Sequence, residues 1–298
     1  MRISFNEVSK NKTRSLILIS FFIVLIGIIG GLIGFFLDNL YIGLILAFIF
    51  SIIYSIIAYY QGGNMILKLT GAKPVTKQEY PHLYHSIEAI AIAAGIKAPK
   101  AYVIEDDAMN AFATGKDPNN AAITVTTGLL KVLNRQELEG VVAHEMAHIK
   151  NYDIRFMMLT TVLIGIVGLL SGFLFRIIIF GGNNRSKDGK LFIIFLIVAI
   201  LLAILTPIFA QIIKLAISRK REYMADASAA IFTRYPPGLA SALNKISQSD
   251  KKLKVANSST AHLFISSPYG KKKKKSFLKK IFSTHPPIED RIKRLSEM

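Results

Sequence analysis

Apolar residues in this chain are gathered into four blocks, each about as long as a helix needs to cross a bilayer. Ser15–Leu37 carries no charged residue, nor does Leu40–Tyr59, and only Asp38 and Asn39 separate the two. A third block runs from Phe156 to Phe180, interrupted by Arg176, and a fourth from Leu191 to Ile213, closed by Lys214. A helix of about 20 residues rises about 30 Å, the thickness of the hydrocarbon layer, and uncharged runs of that length are uncommon in soluble cores. The blocks pair into two hairpins. One turns at Asp38, the other in the polar loop 181–190, where Arg176 can snorkel to the interface. The expectation is an α-helical integral membrane protein with four transmembrane helices.

Arg2, Lys10, Lys12 and Arg14 precede the first block, which places the N-terminus in the cytoplasm and the Asp38 turn outside. The block is longer than the apolar region of a signal peptide and no A-x-A-like site follows it, so it reads as an uncleaved anchor. The loop with Arg185, Lys187 and Lys190 is then forced outward, against the positive-inside bias. Cysteine is absent, which excludes disulfides and thiolate metal sites. Any metal must be held by histidine and carboxylate.

The spans divide the chain into a first hairpin (1–60, spans 15–37 and 40–59), a polar segment 61–155, a second hairpin (156–213, spans 156–180 and 191–213) and a polar segment 214–298. The first polar segment shows a helical pattern over Thr76–Ala94, ended by Gly95 and Pro99. Short β-type runs follow at Ala101–Ile104, Asn110–Thr114 and Ala122–Thr127, enough for a small sheet. Asn134 with Glu137 three residues on signals the N-terminus of another helix.

That helix contains His144, Glu145, Met146, Ala147 and His148, an H-E-x-x-H. Spacing of i and i+4 puts both imidazoles on one face, where they can share one Zn²⁺ with Glu145 beside the open coordination position. Two ligands hold a metal weakly; a third is expected from a carboxylate on another helix. Just past the fourth block, Glu222 and Asp226 share a helix face. One can reach the metal while the other accepts the free ring N–H of a ligating histidine. Two segments can share a metal only if an even number of spans separates them, and the second hairpin supplies two.

The runs Val141–Asp153 with HEMAH, Ser218–Ala230 (SRKREYMADASAA), Asn110–Gly115 (NAFATG) and Ser283–Arg291 (STHPPIEDR), together with the four-span layout, resemble the HtpX family of membrane-embedded zinc metalloproteases. The resemblance implies a mainly α, α+β zincin-like protease domain of the gluzincin type, facing the cytoplasm of a bacterial inner membrane and acting on misfolded or unfolded membrane proteins. It implies one zinc held by His144, His148 and Glu222, with Glu145 as the catalytic base. Asp226 and Asp153 are candidates for supporting the ligands from behind. His285, before Pro286 and Pro287, resembles the family's late HPP motif and is a candidate donor to the oxyanion. Asn110, Ala111, Phe112, Ala113 and Thr114 resemble the edge strand beside the zinc helix, to which an extended substrate can add by main-chain hydrogen bonds.

From Lys251 to Met298 there are 13 Lys or Arg against 3 Asp or Glu, centred on Lys271–Lys275. Beside a membrane such a run suits anionic lipid; no nucleic-acid-binding motif accompanies it, so nucleic acid is not expected as a partner. A structural or transported zinc is the rival reading. Structural zinc usually takes four protein ligands, and a transporter would place ionisable groups inside its spans, whereas this sequence offers three ligands outside them plus a base. A prenyl-peptide protease is a further alternative, disfavoured by the small number of apolar blocks.

Overall fold

The computed structural model describes residues 2–36, 38–180, 193, 196–198, 200, 219–255, 260–268 and 286–298. Its elements in chain order are α1 (Arg2–Phe36), α2 (Leu40–Leu69), β1 (Lys73–Pro74), α3 (Pro81–Ala94), β2 (Lys100–Ile104), β3 (Ala111–Asp117), β4 (Asn120–Thr126), α4 (Thr127–Val132), α5 (Arg135–Lys150), α6 (Asp153–Phe180), α7 (Arg219–Thr233), α8 (Pro236–Gln248) and α9 (Ile288–Ser296). Among the described residues three helices are long and apolar enough to cross a membrane: Glu7–Phe35, Leu40–Leu69 and Asp153–Gly172. The fourth expected span, 191–213, lies almost wholly outside the described residues.

The three long helices pack on one another. Helices α1 and α2 approach so closely that a Cβ on Gly30 would collide with Ala47 and the Gly43 carbonyl. Small residues allow such contact between membrane helices, where dispersion rather than the hydrophobic effect holds them. Their outward faces carry Leu16, Val24, Phe35, Ile45, Leu46 and Ile53, each more than half exposed. Apolar exposure on that scale suits lipid, not water.

Helix α2 overruns its apolar block by ten residues, past the expected segment boundary at residue 60. Beyond Gln61, Ile66 and Leu67 are buried in a cluster that joins residues of the long helices to Ile104, Phe112 and Phe264 of the polar segments, and Gly62 lies against Met158. The helix ends where the Thr70 hydroxyl takes the Ile66 carbonyl and Gly71 adopts φ +64°. Helix α3 begins at Pro81 rather than Thr76: proline suits the first helical turn, and Thr76–Glu79 forms a separate turn closed by the Glu79 carboxylate. Gly95 then closes α3 in the left-handed region.

The sheet has the order β1-β2-β4-β3, with β2 and β4 parallel and the outer pairs antiparallel. Strand β3 is therefore at an edge. Its side chains alternate between two cores: Phe112 joins the membrane-side cluster with Ile66, Met158 and Phe264, while Ala111 and Ala113 face Val142, Met146 and Ile149 of α5. The site is built between these cores.

Candidate metal centre

Helix α5 starts with a complete capping box. The Asn134 side chain accepts from the Glu137 N–H at 3.0 Å, and the Glu137 carboxylate accepts from the Asn134 N–H at 2.8 Å. Glu137 also takes Ser241 (2.6 Å) and Lys245 (2.7 Å) from α8, which fixes the start of α5 against that helix. Gly140 in the helix interior costs about 1 kcal/mol in propensity. It is required because a Cβ there would lie 2.7 Å from the Leu239 nitrogen.

Two turns on, the rings of His144 and His148 meet edge to face, with their Nε2 atoms 3.2 Å apart. Glu222 of α7 stands beside them, 3.4 Å from His148 Nε2 and 3.8 Å from His144 Nε2. The three side chains offer ligand atoms within 4.8 Å of one another. Each Nδ1 has its own carboxylate: Asp226 Oδ1 lies 2.9 Å from His144, and Asp153 Oδ2 2.9 Å from His148. A carboxylate there fixes the Nδ1–H tautomer and leaves Nε2 free to ligate. The residues fit zinc on two further counts. Two ligands at zinc bond lengths subtend about 3.3 Å in a tetrahedron, close to the separation found. The buried cluster also holds four carboxylates, Glu145, Glu222, Asp226 and Asp153, against two guanidiniums, Arg221 and Arg291. With both rings neutral, as metal ligation requires, and all four carboxylates ionised, the cluster carries a double negative charge that a dication balances.

Burial pushes the Glu145 carboxyl up to about 7, with the Glu222 charge adding to it; His148, Arg291 and a hydrogen bond from the Ala113 N–H oppose the shift. Burial pulls His148 down, but its bonds to Asp153 and Glu222 outweigh that and hold it well above the ordinary range. For His144, burial and the Arg291 charge together lower the pKa and keep the ring neutral.

Three buried residues in this network were not singled out from sequence. Arg291 of α9 pairs bidentately with Asp226 at 2.7 and 2.8 Å and stands 3.7 Å from Glu222. Arg221 of α7 stands 3.6 Å from Asp153, and Asn11 of α1 touches both. The signal for Arg291 was available. In α9, Ile288, Arg291, Ile292 and Leu295 fall on one stripe, and a charge on an apolar stripe marks a buried ion pair.

The strand expected to bind substrate is at the edge of the sheet, and the start of that edge is covered. Asn110 precedes β3, and all of Asn110–Thr114 is buried. The Ala111 carbonyl accepts the Ile265 N–H at 2.9 Å, while the Asn110 amide binds the Ser266 carbonyl at 3.1 Å. The chain's own Phe264–Ser266 covers the start of that edge, and Phe264 packs edge to face on Phe112. His285 and Lys271–Lys275 lie outside the described residues.

Three membrane-length helices, a small mixed sheet and a buried His-Glu-His-Glu cluster define a membrane-bound metalloprotease. Residues 77–298 match the model of peptidase family M48. A protease HtpX homolog of Streptococcus mutans is 44% identical over 99% of both chains; one of Dictyoglomus turgidum is 48% identical over 81% of this chain and 77% of its own. The chain belongs to peptidase family M48 and, within it, to the HtpX proteases. The crystal structure of S. mikatae Ste24p shares the fold with a TM-score of 0.52 at 22% identity; the match covers 83% of this chain and 57% of that one.

Proposed function

We propose that the chain is a zinc endopeptidase that cuts unfolded stretches of membrane proteins at the cytoplasmic face of a bacterial inner membrane. The observation that carries this is the pair of facing Nε2 atoms with Glu222 beside them and Glu145 on the same helical turn. In this reading His144, His148 and Glu222 hold the metal, and Asp226 and Asp153 orient the two rings. When bound, zinc supplies a Lewis acid for the scissile carbonyl and a lowered pKa for water. Glu145 takes the proton of the attacking water and returns it to the leaving amine, held in place by the Ala113 N–H. His285 donates to the oxyanion. An extended substrate adds to β3 and displaces Phe264–Ser266 from Ala111; main-chain recognition asks little of its side chains.

Segments 61–155 and 214–298 act as two halves of one protease domain, and 191–213 forms a fourth span. The Lys271–Lys275 run draws the domain to anionic lipid, at about 1 kcal/mol for each residue that reaches the surface.

Purified in detergent, the chain is expected to cleave denatured casein, to stop when treated with a zinc chelator and to resume on zinc addition. Cleavage indifferent to chelation would overturn the metal assignment. Glu222→Ala removes one of three ligands and is expected to lose bound zinc together with activity; full zinc by elemental analysis would place the third ligand elsewhere. For orientation, an impermeant thiol reagent on intact cells is expected to label Asn183→Cys and to spare Asn119→Cys. Labelling at Asn119→Cys would invert the topology, and silence at Asn183→Cys would mean that the second hairpin does not cross.

A further inference from the structure

One group of buried polar side chains that peptide hydrolysis does not itself use lies at the elbow between α5 and α6. There the chain leaves the zinc helix through Asn151 and Tyr152, the latter at φ +60°, and enters a membrane helix at Asp153. The side chain that fills the elbow comes from neither helix. Asn11 of α1, fully buried on the last polar stretch before the first apolar block, donates from Nδ2 to Asp153 Oδ1 at 2.6 Å and to the Asn151 carbonyl at 3.0 Å. Its Oδ1 accepts from Arg221 at 3.1 Å and from Arg14 at 3.4 Å. Two acceptors face the nitrogen and two guanidiniums face the oxygen, so the amide orientation is fixed and its bonding capacity is used.

Two of these partners, Asp153 and Arg221, lie next to proposed metal ligands. Asp153 takes Asn11 on Oδ1 and His148 on Oδ2, so the bond from Asn11 tells the two carboxylate oxygens apart and sets the rotation of the group that aims the imidazole. Arg221 directly precedes Glu222 on α7 and stands 3.6 Å from Asp153. We infer that Asn11 is a positioning residue of the metal centre: through Asp153 and Arg221, the first membrane helix holds His148 and Glu222 in ligating geometry. Helix α1 then does more than anchor the enzyme, because the site is incomplete without it. A position on an apolar helical stripe needs no amide for packing, and Asn11 shares its stripe with Ser15, Leu18, Phe22 and Leu25, all buried.

This inference rests on His148 and Glu222 being zinc ligands, so the experiment reads zinc binding directly. The full-length chain in detergent is titrated against a chromophoric zinc chelator as wild type, Asn11→Leu, Asn11→Asp and Lys12→Ala. Asn11→Leu keeps the branched shape and loses all polar contact; Asn11→Asp keeps the acceptors and loses both donors. Both are expected to bind zinc about tenfold more weakly than wild type, at the lower end for groups behind a ligand, and to shift the visible bands of the cobalt-substituted protein. Lys12→Ala weakens the docking of α1, where Lys12 lies over Tyr152, without touching the network; its zinc affinity is expected to match wild type. In an Asp153→Asn background, Asn11→Leu is expected to cost less than it does alone, since the route through Asp153 is already lost and only the one through Arg221 remains.

Wild-type affinity in either Asn11 variant, an equal loss in Lys12→Ala, or full additivity with Asp153→Asn overturns the inference. So does failure of both Asn11 variants to fold when Lys12→Ala folds, which would make Asn11 a determinant of the fold alone. If wild type itself binds no zinc, the metal reading falls and this inference with it.

Discussion

Replacing Glu145 with glutamine is expected to lower kcat on an unfolded protein substrate by about 10² to 10⁴-fold, the range for removal of a general acid–base group. Zinc occupancy should stay at the wild-type level, because His144, His148 and Glu222 are untouched and the glutamine oxygen can still accept from the Ala113 N–H. Burial pushes the carboxyl up, and a bound dication beside it pulls it back down. As a carboxylate it can take a proton from activated water and give it up to the amine. The amide can do neither. Casein turnover beside elemental analysis on the same preparation separates loss of the base from loss of the metal. Wild-type turnover in Glu145→Gln would remove the residue from the mechanism.

The parts of the site that follow a local period were legible in the sequence. HEMAH needs only the i, i+4 geometry of a helix, and that helix announces itself through Asn134 and Glu137. The three membrane-length helices were likewise visible as uncharged runs. What escaped depends on contacts distant along the chain. Asn11 and Asp153 are 142 residues apart, and Arg291 and Asp226 are 65 apart. No spacing rule joins such positions. Their faint local mark, a polar side chain on an apolar stripe, was hidden by the basic N-terminus in one case and by the HPP run in the other. The end of α2 was missed because Gln61–Asn64 looks like a loop, while burial of Ile66 and Leu67 by tertiary contacts carries the helix on. The cover on β3 could not be foreseen either, since Ala261–Ser266 shows no alternation and includes a 3₁₀ turn.

Arg291→Met is expected to cost the most stability of any single change near the site, about 3–5 kcal/mol, the range for breaking a buried ion pair from one side. Arg291 has no exposed surface and binds Asp226 in a fork, Nε to Oδ2 at 2.8 Å and an NH2 contact to Oδ1 at 2.7 Å. Methionine fills much of the volume but leaves Asp226 charged and buried. A bound dication can compensate Glu222, but it cannot compensate Asp226, whose near oxygen also holds His144 Nδ1 at 2.9 Å. The loss should therefore reach the metal: with no cation to hold it, the Asp226 carboxyl tends to protonate, and a neutral acid is a poorer acceptor for the His144 N–H. Zinc affinity falls along with the unfolding midpoint. Arg291→Lys keeps the charge but cannot make the fork, so it should lose less than Arg291→Met and more than nothing. In the double variant Arg291→Met with Asp226→Asn, the stranded charge is gone, and stability should recover part of what Arg291→Met lost. Denaturation in detergent of wild type, Arg291→Met, Asp226→Asn and the double variant gives the cycle. If Arg291→Met unfolds at the wild-type midpoint, or if the double variant is as unstable as the two losses added together, the pair does not hold the C-terminal helix to the metal centre.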